Sequence, residues 1–280
     1  MKKSILSVVY LSIHLAINLN AQVLNSLELG NGTARQRNAS FNLEELKVRW
    51  KKAALENCTG VPCVVAPSFT CGSSTISDVD NNSYVTVLIG TQCWTKENLK
   101  VSKYNDGSPI NFNTSGGPLG NSFGEDWSTQ TSGAFSIYSN DPISSSNASF
   151  FGYLYNWYTV SDARKLCPTN WHVPSKVEWQ ALETQLGGPS LAGGEMKQAG
   201  SSLWTTSPSG TSGFRAQPGG ERWGSDGSFN SVNGRASFWS STETLPTIPD
   251  YLYVDDASTA ITFTDAGYEF GFSIRCIKDL

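Results

Sequence analysis

Few residues of this chain are suited to acid–base or covalent chemistry. Of its two histidines, His14 lies in an apolar leader, and only His172 stands in the body of the chain. It sits between Trp171 and Val173, just ahead of a helical pattern. A catalytic base needs a positioned partner that the sequence does not supply, so His172 reads as a hydrogen-bonded side chain fixing a turn. One histidine also argues against a histidine-rich metal site. Glycoside hydrolysis needs two facing carboxylates. Glu178, Glu183, Glu195, Glu221 and Glu243 are available, but Glu178 belongs to a helix cap, Glu183 to an exposed helix face, and no pair stands out. Asp78, Asp80 and Asn82 alternate like the start of a calcium loop, yet the glycine and the closing glutamate of an EF-hand are missing. A polar turn is the better reading. Calcium stays an unproven option, and no metal or other cofactor is expected.

All six cysteines (Cys58, Cys63, Cys71, Cys93, Cys167 and Cys276) follow the leader. An even count behind an export signal favours disulfides, and no Cys-x-x-Cys supports zinc or an iron–sulfur cluster. Six cysteines leave many pairings open.

The elements around these residues begin with Met1-Lys2-Lys3, an apolar run from Ile5 to Leu19, and Asn20-Ala21-Gln22. This is the pattern of a signal peptide over residues 1–21, too interrupted by polar residues for a comfortable membrane span. The mature chain is expected to be secreted or on the cell surface, with the periplasm a further option. No integral membrane segment is expected after cleavage. Lys and Arg number 20 against 24 Asp and Glu, with no basic run, so a nucleic-acid partner is not expected.

Residues 22–75 read as an accessory segment. One helix over Phe41–Glu56 carries Leu43, Leu46, Trp50 and Ala54 on one face, and a cysteine-rich loop follows from Cys58. The main domain spans 76–280. Tyr84–Ile89 and Gln92–Thr95 read as strands around a turn, and residues 105–150 as a long irregular stretch. Tyr153–Leu166 carries a helical pattern that Pro168 would end. Ser175-Lys-Val-Glu178 is a capping box opening a helix that Gly187-Gly188 stops. Ser237–Ser240, Tyr251–Val254, Ala260–Phe263 and Phe270–Ile277 read as strands, with Asp255–Thr259 as a hairpin turn.

The chain resembles the Fibrobacter succinogenes major paralogous domain family. The resemblance rests on Asp78-Val-Asp-Asn-Asn-Ser-Tyr-Val-Thr-Val-Leu-Ile-Gly-Thr-Gln-Cys-Trp-Thr-Lys-Glu-Asn-Leu99, Gly152-Tyr-Leu-Tyr-Asn-Trp157, Cys167-Pro-Thr-Asn-Trp-His-Val-Pro174, Phe238-Trp-Ser-Ser-Thr-Glu243 and Gly271-Phe-Ser-Ile-Arg-Cys-Ile277. Shorter matches at Ala192-Gly-Gly194, Gly213-Phe214 and Pro218-Gly-Gly220 add to it. It covers roughly residues 76–280.

This family is similar in pattern to the C-type-lectin-like fold. The resemblance implies an α+β domain with two helices, a twisted antiparallel sheet, a long irregular loop region and a disulfide staple between Cys167 and Cys276. Cys93 departs from the family pattern, and a bridge from it to a cysteine of the N-terminal segment is expected. The formylglycine-generating branch of the fold uses a reactive cysteine pair near the C-terminus, where this chain has only Cys276. The calcium-dependent sugar motif of C-type lectins is echoed only by Ile248-Pro249-Asp250.

The binding face implied by the resemblance holds Trp204, Trp223, Tyr251 and Tyr253 as aromatic candidates, with Glu221, Arg222 and Asp226 as polar ones. Trp239 is expected in the core. The function implied is non-catalytic recognition of a polysaccharide or a cell-surface protein. The alternatives are a structural envelope component docking through its N-terminal helix, and a secreted carbohydrate-active enzyme.

Overall fold

The computed structural model describes residues 69–114, 126–205 and 210–279. The leader, the helix over 41–56 and the cysteines Cys58 and Cys63 lie outside the described residues. Within them the protein is a sheet-rich α+β structure with three sheets.

The first sheet has the order β1-β2-β3-β13-β7, all antiparallel. Its strands are β1 (Thr75–Ser77), β2 (Ser83–Ile89), β3 (Gln92–Thr95), β13 (Ile277–Lys278) and β7 (Trp171–His172). β2 buries Tyr84, Thr86, Val87 and Ile89 and exposes Val85 and Leu88, a near-alternation that the sequence carries. The turn before it is built by Asp78. Its Oδ1 accepts from the backbone N–H groups of Asp80 and Asn82, both at 2.9 Å, and its Oδ2 from the Tyr84 hydroxyl at 2.6 Å.

The second sheet has the order β12-β11-β10-β8-β9. It comprises β12 (Ile261–Asp265), β11 (Ile248–Asp255), β10 (Arg235–Leu245), β8 (Gly219–Arg222) and β9 (Phe229–Val232). Only the β10–β8 pair in it is parallel. The third, small sheet joins β4 (Asn111–Phe112), β5 (Ala134–Ser136) and β6 (Leu154–Tyr155).

Four α-helical segments are described: α1 (Ser146–Phe151), α2 (Trp157–Val160), α3 (Lys176–Gln185) and α4 (Ala192–Met196). Only α3 is a full helix, and the Ser175–Glu178 capping box forms as its sequence predicts. Trp179 and Leu182 carry its buried face onto the second sheet, among Trp94, Trp204, Phe214, Phe238 and Leu252. The second expected helix, Tyr153–Leu166, does not form. Tyr155 instead exchanges backbone hydrogen bonds with Phe272 at 2.9 and 3.1 Å. The Asn156 side chain then caps a single turn by accepting from Thr159 N–H. Long-range pairing overrides a helical pattern of apolar residues.

Phe270–Ile277, expected as one strand, pairs residue by residue with different elements. Gly271 bridges to Arg222, Phe272 to Tyr155, Ser273 to Phe238, and Ile277 to Trp94 and His172. This terminal segment is a seam through all three sheets. A Cβ on Gly271 would stand 2.9 Å from the Arg222 Cβ and 3.0 Å from the Trp127 ring, so only glycine lets the seam pass there.

Arg275 in the seam is fully buried. Its Nε donates to Asn98 Oδ1 at 2.6 Å, its Nη1 to the carbonyls of Thr95 and Phe214, and its Nη2 to that of Arg215 at 3.0 Å. Phe214 stacks beneath the guanidinium at 4.4 Å. Burial lowers its pKa to about 9, which leaves the charge in place at neutral pH. A guanidinium spends its donors on fixed acceptors without deprotonating, so Arg275 acts as a rivet between segments.

Among the described residues two disulfides complete the frame. Cys167–Cys276 ties the start of the 167–174 turn to the seam, and Cys71–Cys93 ties the chain before β1 to β3.

Candidate ligand-binding face

Strand register gathers aromatic and charged groups on one face of the second sheet. β11 alternates fully buried Leu252 and Val254 with half-buried Tyr251, Tyr253 and Asp255. On β10, Trp239 pairs with Tyr251, Ser237 with Tyr253 and Arg235 with Asp255. On β12, Thr264 pairs with Tyr251 and Thr262 with Tyr253. Directly opposed residues share a face; Trp239 and Ser237 on it are fully buried, whereas Arg235, Tyr251, Tyr253, Asp255, Thr262 and Thr264 stay partly exposed. β8 adds Glu221, whose Oε2 accepts from Ser237 Oγ at 3.1 Å and whose Oε1 accepts from the indole N–H of Trp223 at 3.2 Å.

A run of rings crosses the surface. Tyr253 stands 6.2 Å from Tyr251, and Tyr251 stacks on Phe272 at 4.2 Å. Phe272 meets Phe270 at 5.7 Å, which meets Trp223 at 6.5 Å. Phe272 is fully buried, whereas Trp223 at the far end is 43 % exposed. The inner rings thus form a rigid floor for the outer ones. Arg235 lies 4.0 Å over the Tyr253 ring and donates from Nε to Asp255 Oδ1 at 2.8 Å. Its Nη1 stands 3.9 Å from Glu221 Oε1. Burial raises the Tyr251 phenol to about 12, with the Glu221 charge adding, so it is a neutral hydroxyl at physiological pH. Among the described residues neither the Tyr251 nor the Tyr253 hydroxyl meets a hydrogen-bond partner.

Four of the sequence-predicted residues, Glu221, Trp223, Tyr251 and Tyr253, therefore come together. Asp226 lies exposed in the turn after Trp223, where its carboxylate accepts from Ser228 N–H and Oγ at 2.9 and 2.7 Å. Two expectations are corrected. Trp204 is 4 % exposed, packs in the core on the opposite side of the sheet, and donates its indole N–H to the Ala216 carbonyl at 3.0 Å. Arg222 is fully buried and points away from the Glu221 side, donating to the carbonyls of Gly227 and Asn113 and stacking 4.1 Å over Trp127. Arg235, Asp255, Thr262, Thr264 and Phe270 were missed. The parity of Arg235 with Ser237 and Trp239 was the signal that could have found the first of them.

The remaining candidates are engaged elsewhere. Trp239 is fully buried and donates to the Tyr155 carbonyl at 2.7 Å. His172 bridges two carboxylates, Nε2 to Glu178 Oε1 at 2.9 Å and Nδ1 to Asp279 Oδ1 at 2.7 Å. The Glu178 hydrogen bond raises its pKa against the effect of burial, and Asp279 adds to the rise. Burial pushes Glu178 up, but hydrogen bonds from His172 and Ser175 outweigh it and hold the carboxyl at about 2. Asp80 accepts from Ser102 at 2.6 Å and pairs with Lys103 at 2.9 Å, so the acidic turn is closed by protein donors. Among the described residues no group of three or more His, Cys, Asp or Glu side chains is arranged to hold a metal. No helix among them is long and apolar enough to cross a membrane. A separate open groove of ≈ 670 Å³ runs between α1 and residues 198–203, with Phe150 and Leu203 among its lining.

No curated protein and no solved structure matches the chain. The family model of the Fibrobacter succinogenes major domain matches residues 87–278, which include every residue of the sheet face just described. Over that span, more than half its length, the chain belongs to the Fibrobacter succinogenes major domain family.

Proposed function

We propose that the protein is an exported, non-catalytic recognition protein with a C-type-lectin-like fold, and that it binds a polysaccharide through the face around Tyr251, Tyr253 and Trp223. The leader sequence and the two disulfides support export, since such bonds persist in oxidising compartments. The lectin-like reading is supported by the Cys167–Cys276 staple onto the terminal segment and by the sheet-rich, irregular build.

One observation carries the ligand class: half-buried tyrosine rings backed by a buried aromatic floor, with unpartnered hydroxyls at their rims. A sugar ring has an apolar face and a hydroxyl-bearing edge. Rigid aromatic rings cover the first, and nearby polar groups satisfy the second. The domain boundary at residue 76 and the accessory role of 22–75 remain part of this proposal.

The test is a glycan array on the mature protein and on Trp223→Ala. We expect a defined set of glycans to be retained by the native protein and binding about tenfold weaker in the variant, equivalent to about 1.4 kcal/mol. The variant should keep a cooperative melting transition with a melting temperature lowered by only a few degrees, because Trp223 lies outside the two core clusters. Binding that survives both Trp223→Ala and Tyr253→Ala would contradict the proposal.

A further inference from the structure

We infer that this face accepts uncharged sugar chains and rejects acidic ones, an inference that rests on the glycan-binding reading above and adds a charge rule to it. The nearest cation to the rings is Arg235, and it is already committed. Its Nε and Nη2 grip Asp255 at 2.8 and 3.4 Å, its Nη1 faces Glu221, and its flat side covers Tyr253. The other charges at this surface are negative. Asp255 flanks Arg235 on one side, and Glu221, buried beneath the face, flanks it on the other. One cation thus stands against two carboxylates. Neighbouring cations serve other groups: Lys176 pairs with Asp250 at 2.9 Å, and Lys197 donates to the Asp256 and Ser258 carbonyls at 2.7 and 2.8 Å.

Recognition of a carboxylate or sulfate calls for a guanidinium whose paired donors are free. An acidic sugar arriving here would have to displace Asp255 and then sit beside Glu221. Such uncompensated like charge is a means of excluding wrong ligands. A neutral sugar meets no such barrier. The hydroxyls of Tyr251, Tyr253, Thr262 and Thr264 have no protein partner among the described residues and can donate or accept.

The test uses matched polymers that differ in charge alone: the hydroxyethyl and carboxymethyl derivatives of one β-glucan, and the same pair made on dextran. Affinities of the mature protein are measured by titration calorimetry at low salt. The hydroxyethyl polymer of at least one pair should bind at least tenfold tighter than its carboxymethyl partner. Raising salt to about 0.5 M, where charges beyond a few ångströms are screened, should shrink that gap. Asp255→Asn, which releases Arg235, should narrow the ratio at least threefold at low salt. Equal affinities, a preference for the carboxymethyl polymer, or a ratio that neither salt nor Asp255→Asn moves would overturn the inference while leaving glycan binding intact. No binding to any of the four polymers would instead count against the glycan reading itself, and the charge rule would fall with it.

Discussion

At the scale of single residues, burial separates the arginines of this chain by role. Arg275 and Arg222 are both fully buried and held by neutral carbonyl oxygens, whereas Arg235 works at the surface against carboxylates. Burial lowers Arg222 as it does Arg275, to about 9, with Asp126 acting in the opposite direction. Replacing Arg275 by Lys keeps a charge but gives up the planar fork that reaches four acceptors at once. Arg275→Lys should destabilise the protein by about 3 kcal/mol, as loss of partners around a buried charge does, and urea denaturation would measure it. A shift under 1 kcal/mol would show that the rivet is not needed. The sequence could not distinguish these arginines. Arg222 adjoins Trp223 in the chain, and placing both on one surface overlooks that a step of one residue along a strand reverses the face. Glu221 and Trp223, two apart, do share it. Trp204 failed as a candidate for a different reason: nothing in its glycine- and serine-rich surroundings indicates that Met196, Trp204, Phe214 and Ala216 pack together in the core.

At the scale of elements, α3 was the most legible piece because its signals are local. Ser175, Glu178, Trp179, Leu182 and the two closing glycines all act within one helix. The sequence also suggested a turn-fixing role for His172, and the structure places it between Glu178 at the helix start and Asp279 after β13. That link makes stability depend on pH with a defined sign. His172 has a raised pKa in the folded protein, so its contribution is complete below the unfolded value of about 6.5 and is lost as pH rises through the folded one. Glu178 has a depressed pKa, so its contribution is complete above about 4.5 and is lost as pH falls toward 2. Both terms act together between roughly pH 4.5 and 6.5. Melting temperature should therefore fall from pH 6 to 9 in the native protein and fall less in His172→Ala. Identical slopes in the two proteins would contradict the link. The stretch 153–166 was misread for the opposite reason. Its apolar spacing is helical, but its fate is decided by Phe272, more than a hundred residues away, which no local pattern reports.

For the molecule as a whole, the terminal segment is what joins the parts. It touches β3, β6, β7, β8 and β10 in turn, and Cys276 locks it to Cys167. The family resemblance implied that staple, and it anticipated a bridge from Cys93 toward the N-terminal side, which is made to Cys71. Cys167–Cys276 spans 109 residues and Cys71–Cys93 spans 22. In the chain-entropy model the first constrains the unfolded chain by about 4–5 kcal/mol and the second by about 3 kcal/mol. Paired serine substitutions should follow that order in denaturant midpoint, and an inverted order would show that the seam does not depend on its covalent tie. With the seam in place, the second sheet packs one face on the Trp179 cluster, and Phe272 covers Trp239 on the other, which leaves Tyr251, Tyr253 and Trp223 partly exposed beside it. The most direct check on the Tyr251 side is a nuclear magnetic resonance titration of the protein with a neutral oligosaccharide retained on the array, following backbone amides and tryptophan indole N–H signals. We expect shifts concentrated at the Trp223 indole and at residues 251–255 and 262–264. Shifts centred instead on Phe150 and Leu203 in the separate groove, or spread over the surface without a focus, would contradict the account.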